Sequence, residues 1–175
     1  HLFPQKVKPV QSALDALKNT DAVVLGPGSL YTSIMPNLLI DGMADALCRS
    51  KAVKIYICNV MTQPGETDGY TASMHVKAIL DHAGRDAIDF VLVNSAPISP
   101  EMQEFYAAKG AYPVEVDEDA LNALGVGFVK ADIISETDVI HHDPDKLSRA
   151  VMRMIYGLKS NTGLREYYIQ EDSLR

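Results

Sequence analysis

The amino-acid sequence predicts an α/β protein in three layers, with helices on both faces of a mainly parallel sheet. Two observations predict this class. Short apolar runs alternate along the chain with segments whose apolar residues recur at helical spacing, which is the order of strands joined by crossover helices. The three clearest strands also end in polar residues. We therefore expect a Rossmann-like sheet with right-handed crossovers and a cleft at one edge.

Size and composition are those of an ordinary soluble domain. The chain has 175 residues, of which 47% are apolar and 22% charged. We expect one α/β domain over residues 1–160 and a polar tail over residues 161–175. Cys48 and Cys58 lack metal or redox spacing and are expected to be free thiols of a cytoplasmic protein.

Charge and hydropathy exclude two classes of partner. The net charge is −7 and most basic residues are scattered, whereas nucleic-acid binding relies on clustered Lys and Arg. No apolar run approaches the roughly 20 residues that cross a bilayer, and no signal peptide is recognised. We therefore expect no nucleic-acid partner and no membrane insertion.

The first strand and the turn after it form the most informative segment. Residues 22–25 are apolar and are followed by Gly26 and Gly28, which allow a sharp turn and close approach to a ligand. Hydroxyl groups follow at Ser29 and Thr32. Such a turn is either structural or holds a phosphate through backbone N–H groups, and the pattern alone leaves both interpretations open.

Two further strands end in the same way. Residues 54–59 run into a long loop that contains Thr62, and residues 90–94 run into Ser95. Asn59 and Asn94 stand at the two strand ends. Because the carboxyl ends of parallel strands share one edge, these polar residues are expected to converge there.

Helical spacing and capping residues place the other elements around these strands. Helices are expected at 10–17, 38–49, from Thr71, at 100–109, at 117–124 and at 143–158, where Asp143 and Pro144 suit a helix start. A short strand is expected at 113–116, and edge strands at 128–129 and 139–140. His75 and His82 are assigned to the polar side of the third helix.

Several polar residues are candidates for chemistry, each with a simpler alternative. Glu66 and Asp68 suit Mg²⁺, which prefers oxygen ligands, although we favour two solvated loop carboxylates. His141 and His142 precede the last helix and either contact a phosphate or form a surface pair. Tyr106 either stacks on a base or sugar or packs against the sheet. No nucleophile–base motif or Walker lysine motif is present, so the residues predict a ligand-binding domain without naming a reaction.

Three segments carry a resemblance to one superfamily: GPGSLYTSIMPNLL, ICNVMTQPGETDGYTASMHVKAILDH and FVLVNS. They resemble the bacterial gluconeogenesis factors (YvcK-like proteins) and, more distantly, the 2-phospho-L-lactate transferases (CofD-like enzymes) of coenzyme F420 synthesis. The resemblance runs from about Val7 to Leu158. The segments GPGSLYTSI and MTQPGET are more similar to the gluconeogenesis-factor branch than to the transferase branch.

This resemblance implies a Rossmann-like fold and binding of a nucleotide sugar such as UDP-N-acetylglucosamine. It also implies a regulatory role, without firm catalytic activity, that links central carbon metabolism to cell-wall synthesis and cell shape. Three groups of residues are expected to bind the ligand. Gly26, Gly28 and Ser29 are expected to face the phosphates, with Thr32 nearby. Asn59, Thr62 and Asn94 are expected to line the crevice, and Tyr106 and His141 to contact the base or the diphosphate.

Two alternatives stay open. The transferase branch implies transfer of a phospholactyl group with Mg²⁺ on Glu66 or Asp68. A degenerate fragment could instead serve as a homo-oligomerisation surface. No other cofactor is expected.

The chain departs from the family pattern in two ways. Family members are much longer and begin with a glycine-rich loop after their first strand, so this chain resembles their C-terminal half. The regulator branch also commonly has Arg-His-Asp where this chain has His141-His142-Asp143. Loss of the fixed guanidinium charge is expected to weaken a phosphate contact.

Overall fold

The computed structural model describes residues 7–159, and its centre is a four-stranded parallel sheet. The strands are β1 (Ala22–Leu25), β2 (Val53–Ile57), β3 (Phe90–Asn94) and β4 (Gly127–Ala131). They lie side by side in chain order, with Leu25 opposite Tyr56 and Asn94 opposite Ala131. The prediction of a mainly parallel sheet is confirmed.

A small antiparallel sheet follows β4. Strands β5 (Ile134–Glu136) and β6 (Ile140–His142) pair with Ile134 opposite His142. The expected edge strand at 128–129 is part of β4, whereas the one at 139–140 belongs to this small sheet.

The strand expected at 113–116 is wrong. Its residues make one isolated bridge, between Pro113 and Met61, and the N–H of Val114 donates to the carbonyl of Val60. Pro113 has no N–H to donate to a ladder, and the carbonyl of Glu115 instead accepts from the N–H of Ala72. The segment therefore ties the loop after β2 to the start of a helix.

The helices surround the sheet, and most agree with the sequence pattern. They are α1 (Gln11–Asn19), α2 (Met35–Leu38), α3 (Met43–Arg49), α4 (Ala72–Ala83), α5 (Pro100–Ala107), α6 (Glu118–Leu124) and α7 (Pro144–Lys159). The expected helix at 38–49 is wrong, because Gly42 at φ +83° interrupts it. An unpredicted π-helical turn, Leu30–Ile34, leads directly into α2.

Side-chain caps fix the starts of the two longest helices. The hydroxyl of Thr71 accepts from the N–H of Met74 at 3.4 Å at the start of α4. Before α7, Oδ1 of Asp143 accepts from the N–H groups of Asp145 and Lys146, each at 2.9 Å. Both caps were predicted from the residue types.

Two apolar cores cover opposite faces of the sheet. Tyr56 and Val91 belong to the core beneath α2, α3, α4 and α6, whereas Ile55 and Leu92 belong to the core beneath α5 and α7. All four side chains are fully buried. Because successive residues of a strand face opposite sides, this alternation produces the three predicted layers.

The assignment of His75 to a polar face of its helix is wrong. Its side chain is 0% exposed, because the buried face of α4 also includes Ser73 and is covered by Tyr70. His82, assigned to the same side, is exposed as expected. The two thiols are free, as predicted. Within residues 7–159, every helix falls short of the length and hydropathy of a membrane span. The expected tail at 161–175 lies outside the described residues.

The two-sided burial of the sheet predicts a contrast between two strand residues. Leu92→Ala empties a fully buried position and should lower the free energy of unfolding by about 2–5 kcal/mol. Val24→Ala on β1, whose side chain is 39% exposed, should cost less than about 1 kcal/mol. Urea unfolding of both variants measures the difference. Equal losses would contradict the assignment of Leu92 to a closed core.

Candidate functional site

Two neighbouring cavities lie at the carboxyl edge of the parallel sheet. The strand-end cavity has a volume of about 260 Å³ and lies between the segments that follow β2 and β3; its polar lining is Asn59, Asn94 and Gln103. The second, which we name the histidine cavity, has a volume of about 540 Å³. Its polar lining is Asn59, Thr62, Gln63, Glu66, Tyr106, Lys109, His141 and His142. Asn59 and Val60, directly after β2, line both cavities.

The structure brings several of the predicted ligand-binding residues together. Asn59, Thr62, Tyr106 and His141 line the histidine cavity, although they come from three separate parts of the chain. Asn94 lies at the adjoining strand-end cavity. The expected convergence of the polar residues after β2 and β3 is therefore observed, and their contact with a ligand stays a prediction.

Hydrogen bonds hold these cavity residues in place. The hydroxyl of Thr62 accepts from the N–H of Tyr112 at 2.9 Å, and the hydroxyl of Tyr106 accepts from the N–H of Ile140 at 3.0 Å. The amide of Asn94 exchanges two bonds with the backbone of Ala96. Hydrogen bonds to two loops and to strand β6 thus hold these cavity side chains in place.

The glycine turn after β1 lies at a different cavity. Gly26 lines an apolar space of about 220 Å³ between β1 and the helices α2 and α3. At φ +98° it adopts a conformation that favours glycine, and an added Cβ would lie 3.3 Å from the carbonyl oxygen of Ile57. A Cβ on Gly28 would lie 3.0 Å from Cβ of Ser33. Packing therefore accounts for both glycines, and their proximity to phosphates stays a prediction.

The Glu66 carboxylate accepts hydrogen bonds from N–H groups at the start of the π-helical turn, an arrangement that we name the Glu66 clamp. Oε1 of Glu66 accepts from the N–H of Tyr31 at 2.7 Å and from the N–H of Thr32 at 3.1 Å. In the same region the side chain of Gln63 donates to the hydroxyl of Ser29 at 2.8 Å. N–H groups at a helical start attract anions, and here the anion is supplied by the chain itself.

The preferred interpretation of Glu66 as a solvated carboxylate is therefore wrong, because these bonds hold it half-buried against the turn. Asp68 is exposed as expected and accepts from the N–H of Gly65 at 2.8 Å. Together they fix the loop between β2 and α4 to itself and to the turn after β1. Within residues 7–159, no group of three or more His, Cys, Asp or Glu residues could hold a metal ion.

A cluster of three rings, of which His75 is buried and Tyr31 and Tyr70 are half-buried, adjoins the bonds of Glu66. The hydroxyl groups of Tyr31 and Tyr70 are 2.8 Å apart, and the ring of Tyr70 meets the ring of His75 edge to face at 5.4 Å. The hydrogen bond between the two hydroxyl groups, with burial second, raises the pKa of Tyr31 to about 12. Nδ1 of His75 lies 2.8 Å from the carbonyl of Thr71, and burial lowers the pKa of His75. Both pKa shifts favour the uncharged forms of Tyr31 and His75.

The two histidines of β6 differ in environment. His141 is exposed at the rim of the histidine cavity, whereas His142 is half-buried and burial lowers its pKa. The backbone of Cys58 opposes this lowering, but burial is the larger effect. Burial also raises the pKa of the Cys58 thiol to about 12, so that this thiol is protonated at neutral pH. The simple surface pair that the sequence left open does not describe His142.

Sequence reasoning did not select Gln63, Lys109 or His142 as ligand-binding residues. Gln63 stood in a loop already recognised as long, and His142 was weighed only as one member of a pair. Lys109 follows α5 and lies 3.6 Å from the ring centroid of Phe105. Lys109 lines the cavity because it packs beside the loop after β2. Such a contact between distant parts of the chain produces no periodic pattern from which the sequence could predict it.

The architecture is that of an α/β protein whose cavities open at the carboxyl edge of a parallel sheet, where proteins of this class bind ligands. Residues 1–134 match the family described as 2-phospho-L-lactate transferase CofD, and the chain belongs to this CofD family. The resemblance deduced from the three sequence segments is thus confirmed.

The chain is also similar to proteins named gluconeogenesis factor. It is 49% identical over 152 residues to the one from Halalkalibacterium halodurans, covering 86% of this chain and 47% of that protein. With the one from Bacillus subtilis it shares 41% over 155 residues, covering 88% and 49% of the two chains. The chain therefore spans about half the length of these curated relatives.

A solved structure supports the fold. The crystal structure of a protein from Bacillus halodurans superimposes with a TM-score of 0.83 at 49% identity, covering 86% of this chain and 49% of that one. The Rossmann-like prediction is confirmed at the level of a mainly parallel sheet flanked by helices.

The clamp formed by Glu66 predicts a loss of stability on its removal. Glu66→Ala leaves the N–H groups of Tyr31 and Thr32 without their acceptor and should lower the free energy of unfolding by about 1–3 kcal/mol. Glu66→Gln retains an acceptor oxygen and should cost less. Urea unfolding compares both with Glu104→Ala, an exposed position on α5. If Glu66→Ala is no less stable than the Glu104→Ala control, the carboxylate does not stabilise the turn.

Burial of His75 predicts a dependence of stability on pH. Because its folded pKa lies below an unfolded value of about 6.5, the unfolded chain binds the proton more readily. Stability should therefore be complete above about pH 6.5 and fall as the pH drops toward 5. His75→Asn keeps a donor for the carbonyl of Thr71 and cannot titrate, so its loss over this range should be smaller. Some loss of stability at low pH will remain in this variant, because burial also lowers the pKa of His142.

The matched control is His82→Asn. Nδ1 of His82 also meets the carbonyl four residues earlier, at 2.8 Å, but its side chain is exposed. Thermal unfolding at several pH values measures all three proteins. An unchanged pH slope in His75→Asn would contradict the assignment.

Proposed function

We propose that this protein binds a nucleotide sugar of the UDP-N-acetylglucosamine type in the histidine cavity, and that it acts as a regulatory protein that does not consume the ligand. The observation that carries the proposal is the lining of that cavity. Lys109 and His141 can donate to a diphosphate, while Asn59 and Thr62 supply amide and hydroxyl groups. The volume of about 540 Å³ falls within the usual range for small-molecule sites.

Charge supports a diphosphate near Lys109 and His141. A diphosphate presents only hydrogen-bond acceptors and carries negative charge, so it requires donors that are cationic or can become so. Lys109 follows α5 and His141 lies on β6, so basic groups from two separate elements line the cavity. The Glu66 carboxylate also lines the cavity, so the diphosphate is expected on the side of the lysine and histidines.

Binding without catalysis is supported by the state of the candidate nucleophiles. Burial raises the pKa of the Cys58 thiol to about 12, and the Tyr106 hydroxyl is already bonded to the backbone of Ile140. A nucleophile needs a lowered pKa or an adjacent base. We therefore propose a sensor of nucleotide-sugar level. By similarity to the gluconeogenesis factors, we propose that it acts in the cytoplasm and links carbon metabolism to cell-wall synthesis and cell shape.

Membership in the CofD family supports a second candidate, a Mg²⁺-dependent phospholactyl transferase. The carboxylates available for the metal are Glu66 and Asp68. They fit poorly, since Oε1 of Glu66 faces two N–H donors and Asp68 accepts from its own loop. Such a metal would depend mainly on the phosphates of the substrate.

The proposal predicts a defined pattern of affinity. Lys109→Ala should weaken binding of UDP-N-acetylglucosamine by about tenfold, because one charge-assisted bond is lost. His141→Arg should tighten binding several-fold, because guanidinium carries a fixed charge and can contact two phosphate oxygens. Titration calorimetry measures both, with Lys77→Ala as the control, since Lys77 pairs with Asp81 on the surface of α4.

Turnover distinguishes the two candidates. UDP-N-acetylglucosamine should be recovered intact after hours with the protein, with or without Mg²⁺. Its consumption, or tighter binding of GDP together with a deazaflavin, would favour the transferase. No binding of any UDP-linked ligand would reject the proposal.

A further inference from the structure

A groove between α1 and α3 carries a concentration of positive charge. Its volume is about 620 Å³, and its lining includes one carboxylate, from Asp41, and four basic side chains, from Lys8, Lys18, Arg49 and Lys51. We name it the basic groove. Because the chain has a net charge of −7, this local excess of positive charge is opposite in sign to the charge of the whole molecule.

Two hydrogen bonds fix the walls of the basic groove. At one end the N–H of Asp41 donates to the carbonyl of Val7 at 3.1 Å, and both residues precede a helix. At the other end the hydroxyl of Ser50, which follows α3, donates to the carbonyl of Leu17 in the last turn of α1. The two bonds join start to start and end to end, so α1 and α3 run side by side in the same direction.

The charges are distributed unevenly along the basic groove. Lys18 lies in the last turn of α1, Arg49 is the last residue of α3, and Lys51 follows it closely. Lys8 and Asp41 precede the two helices and therefore lie at the opposite end. The groove thus has one strongly cationic end, and its lysine at the other end is accompanied by a carboxylate.

The basic side chains of the groove have no internal counter-ion. All four are exposed, and within residues 7–159 none of them forms an ion pair. A basic residue in the last turn of a helix is stabilising in itself, which is a simpler reason for Lys18 and Arg49. That reason does not apply to Lys51, which follows the helix, and it does not explain why all three line one concave surface.

We propose that the basic groove is a second binding site, which takes a small organic anion with several negative charges at one end. The charged groups lie against Lys18, Arg49 and Lys51. The organic part lies along the middle of the groove, where the lining includes Leu14 and Ala46. The volume of about 620 Å³ is within the usual range for small-molecule sites and exceeds what a single inorganic anion fills.

The basic groove lies far along the strands from the histidine cavity. Strands β1 and β2 begin at Ala22 and Val53, shortly after α1 and α3 end, so the cationic end of the groove is near the amino edge of the parallel sheet. The histidine cavity lies at the carboxyl edge. The second site therefore does not depend on binding of a nucleotide sugar, and each site can be tested without the other.

Polyphosphates and polycarboxylates share the chemistry that this site recognises. Both present several negatively charged acceptor oxygens, and a guanidinium such as that of Arg49 can contact two oxygens of either. Three probes separate the sources. ATP without Mg²⁺ supplies phosphates with an organic part, tripolyphosphate supplies phosphates alone, and citrate supplies carboxylates.

The test is calorimetric titration of the 175-residue chain with each probe. The site variant combines Arg49→Gln with Lys51→Gln, which removes two charges and keeps polar side chains. The matched control combines Lys77→Gln on α4 with Arg149→Gln on α7, which removes the same two types of charge from exposed positions outside the groove. Lys109→Ala reports on binding in the histidine cavity, and thermal unfolding verifies that each variant is folded.

We expect ATP and tripolyphosphate to bind, with ATP the tighter because of its organic part. Their affinity should fall as the salt concentration rises, since exposed charges are screened. The site variant should bind about tenfold more weakly than the parent protein, because two charge pairs are lost. The matched control and Lys109→Ala should stay within about twofold of the parent. A preference for citrate would assign the site to polycarboxylates.

Backbone amide chemical shifts locate the bound anion. ATP should shift the signals of Gly42, Ala46 and Ser50, which line the groove without carrying charge, and should not shift them in the site variant. Three results would each overturn the proposal. These are no binding of any probe, equal weakening in the site variant and the matched control, or shifts confined to the histidine-cavity residues Gln63 and His141.

Discussion

The pair of hydrogen bonds from Tyr31 and Thr32 to the Glu66 carboxylate fixes the relation between the first two strand ends. The turn after β1 offers N–H groups that a helix cannot satisfy, and the loop after β2 is too long to hold its shape alone. The Glu66 carboxylate accepts from these N–H groups and thereby anchors the loop to the turn. Once the loop is anchored there, Thr62 and Gln63 lie at the wall of the histidine cavity, and Tyr70 covers His75.

This interaction also changes how a glycine-rich turn after a strand should be interpreted. Backbone N–H groups at such a turn suit phosphate, and the sequence pattern does not distinguish an external anion from an internal one. Here Glu66 comes from 34 and 35 residues further along the chain. The diphosphate is accordingly proposed near Lys109 and His141, which come from elements after β3.

Local physics accounts for what the sequence predicted well. The strands at 22–25 and 90–94 were found with the same bounds, since short apolar runs between polar residues have few alternatives in this class. Thr71 and Asp143 begin helices because their oxygens satisfy nearby N–H groups. The predictions that were wrong concern positions whose structure depends on residues outside the local sequence pattern. Gly42 breaks a helix that amphipathic spacing favoured, and His75 is buried because the loop with Tyr70 folds over it. The cavity residues Gln63, Lys109 and His142 converge only through such non-local packing.

The order of the strands in the sheet has a consequence for how the fold can assemble. Each strand of the parallel sheet pairs with the one that precedes it in the chain, from β1 to β4. A nascent polypeptide can therefore add one strand–helix unit at a time to a sheet already begun, without holding an early strand open for a late partner. Loop closure between neighbours is entropically cheap compared with closure across the whole chain. Strand β6 is the exception. Its histidines line the histidine cavity together with residues of α5 and of the loop after β2, so this cavity is expected to be completed late in folding.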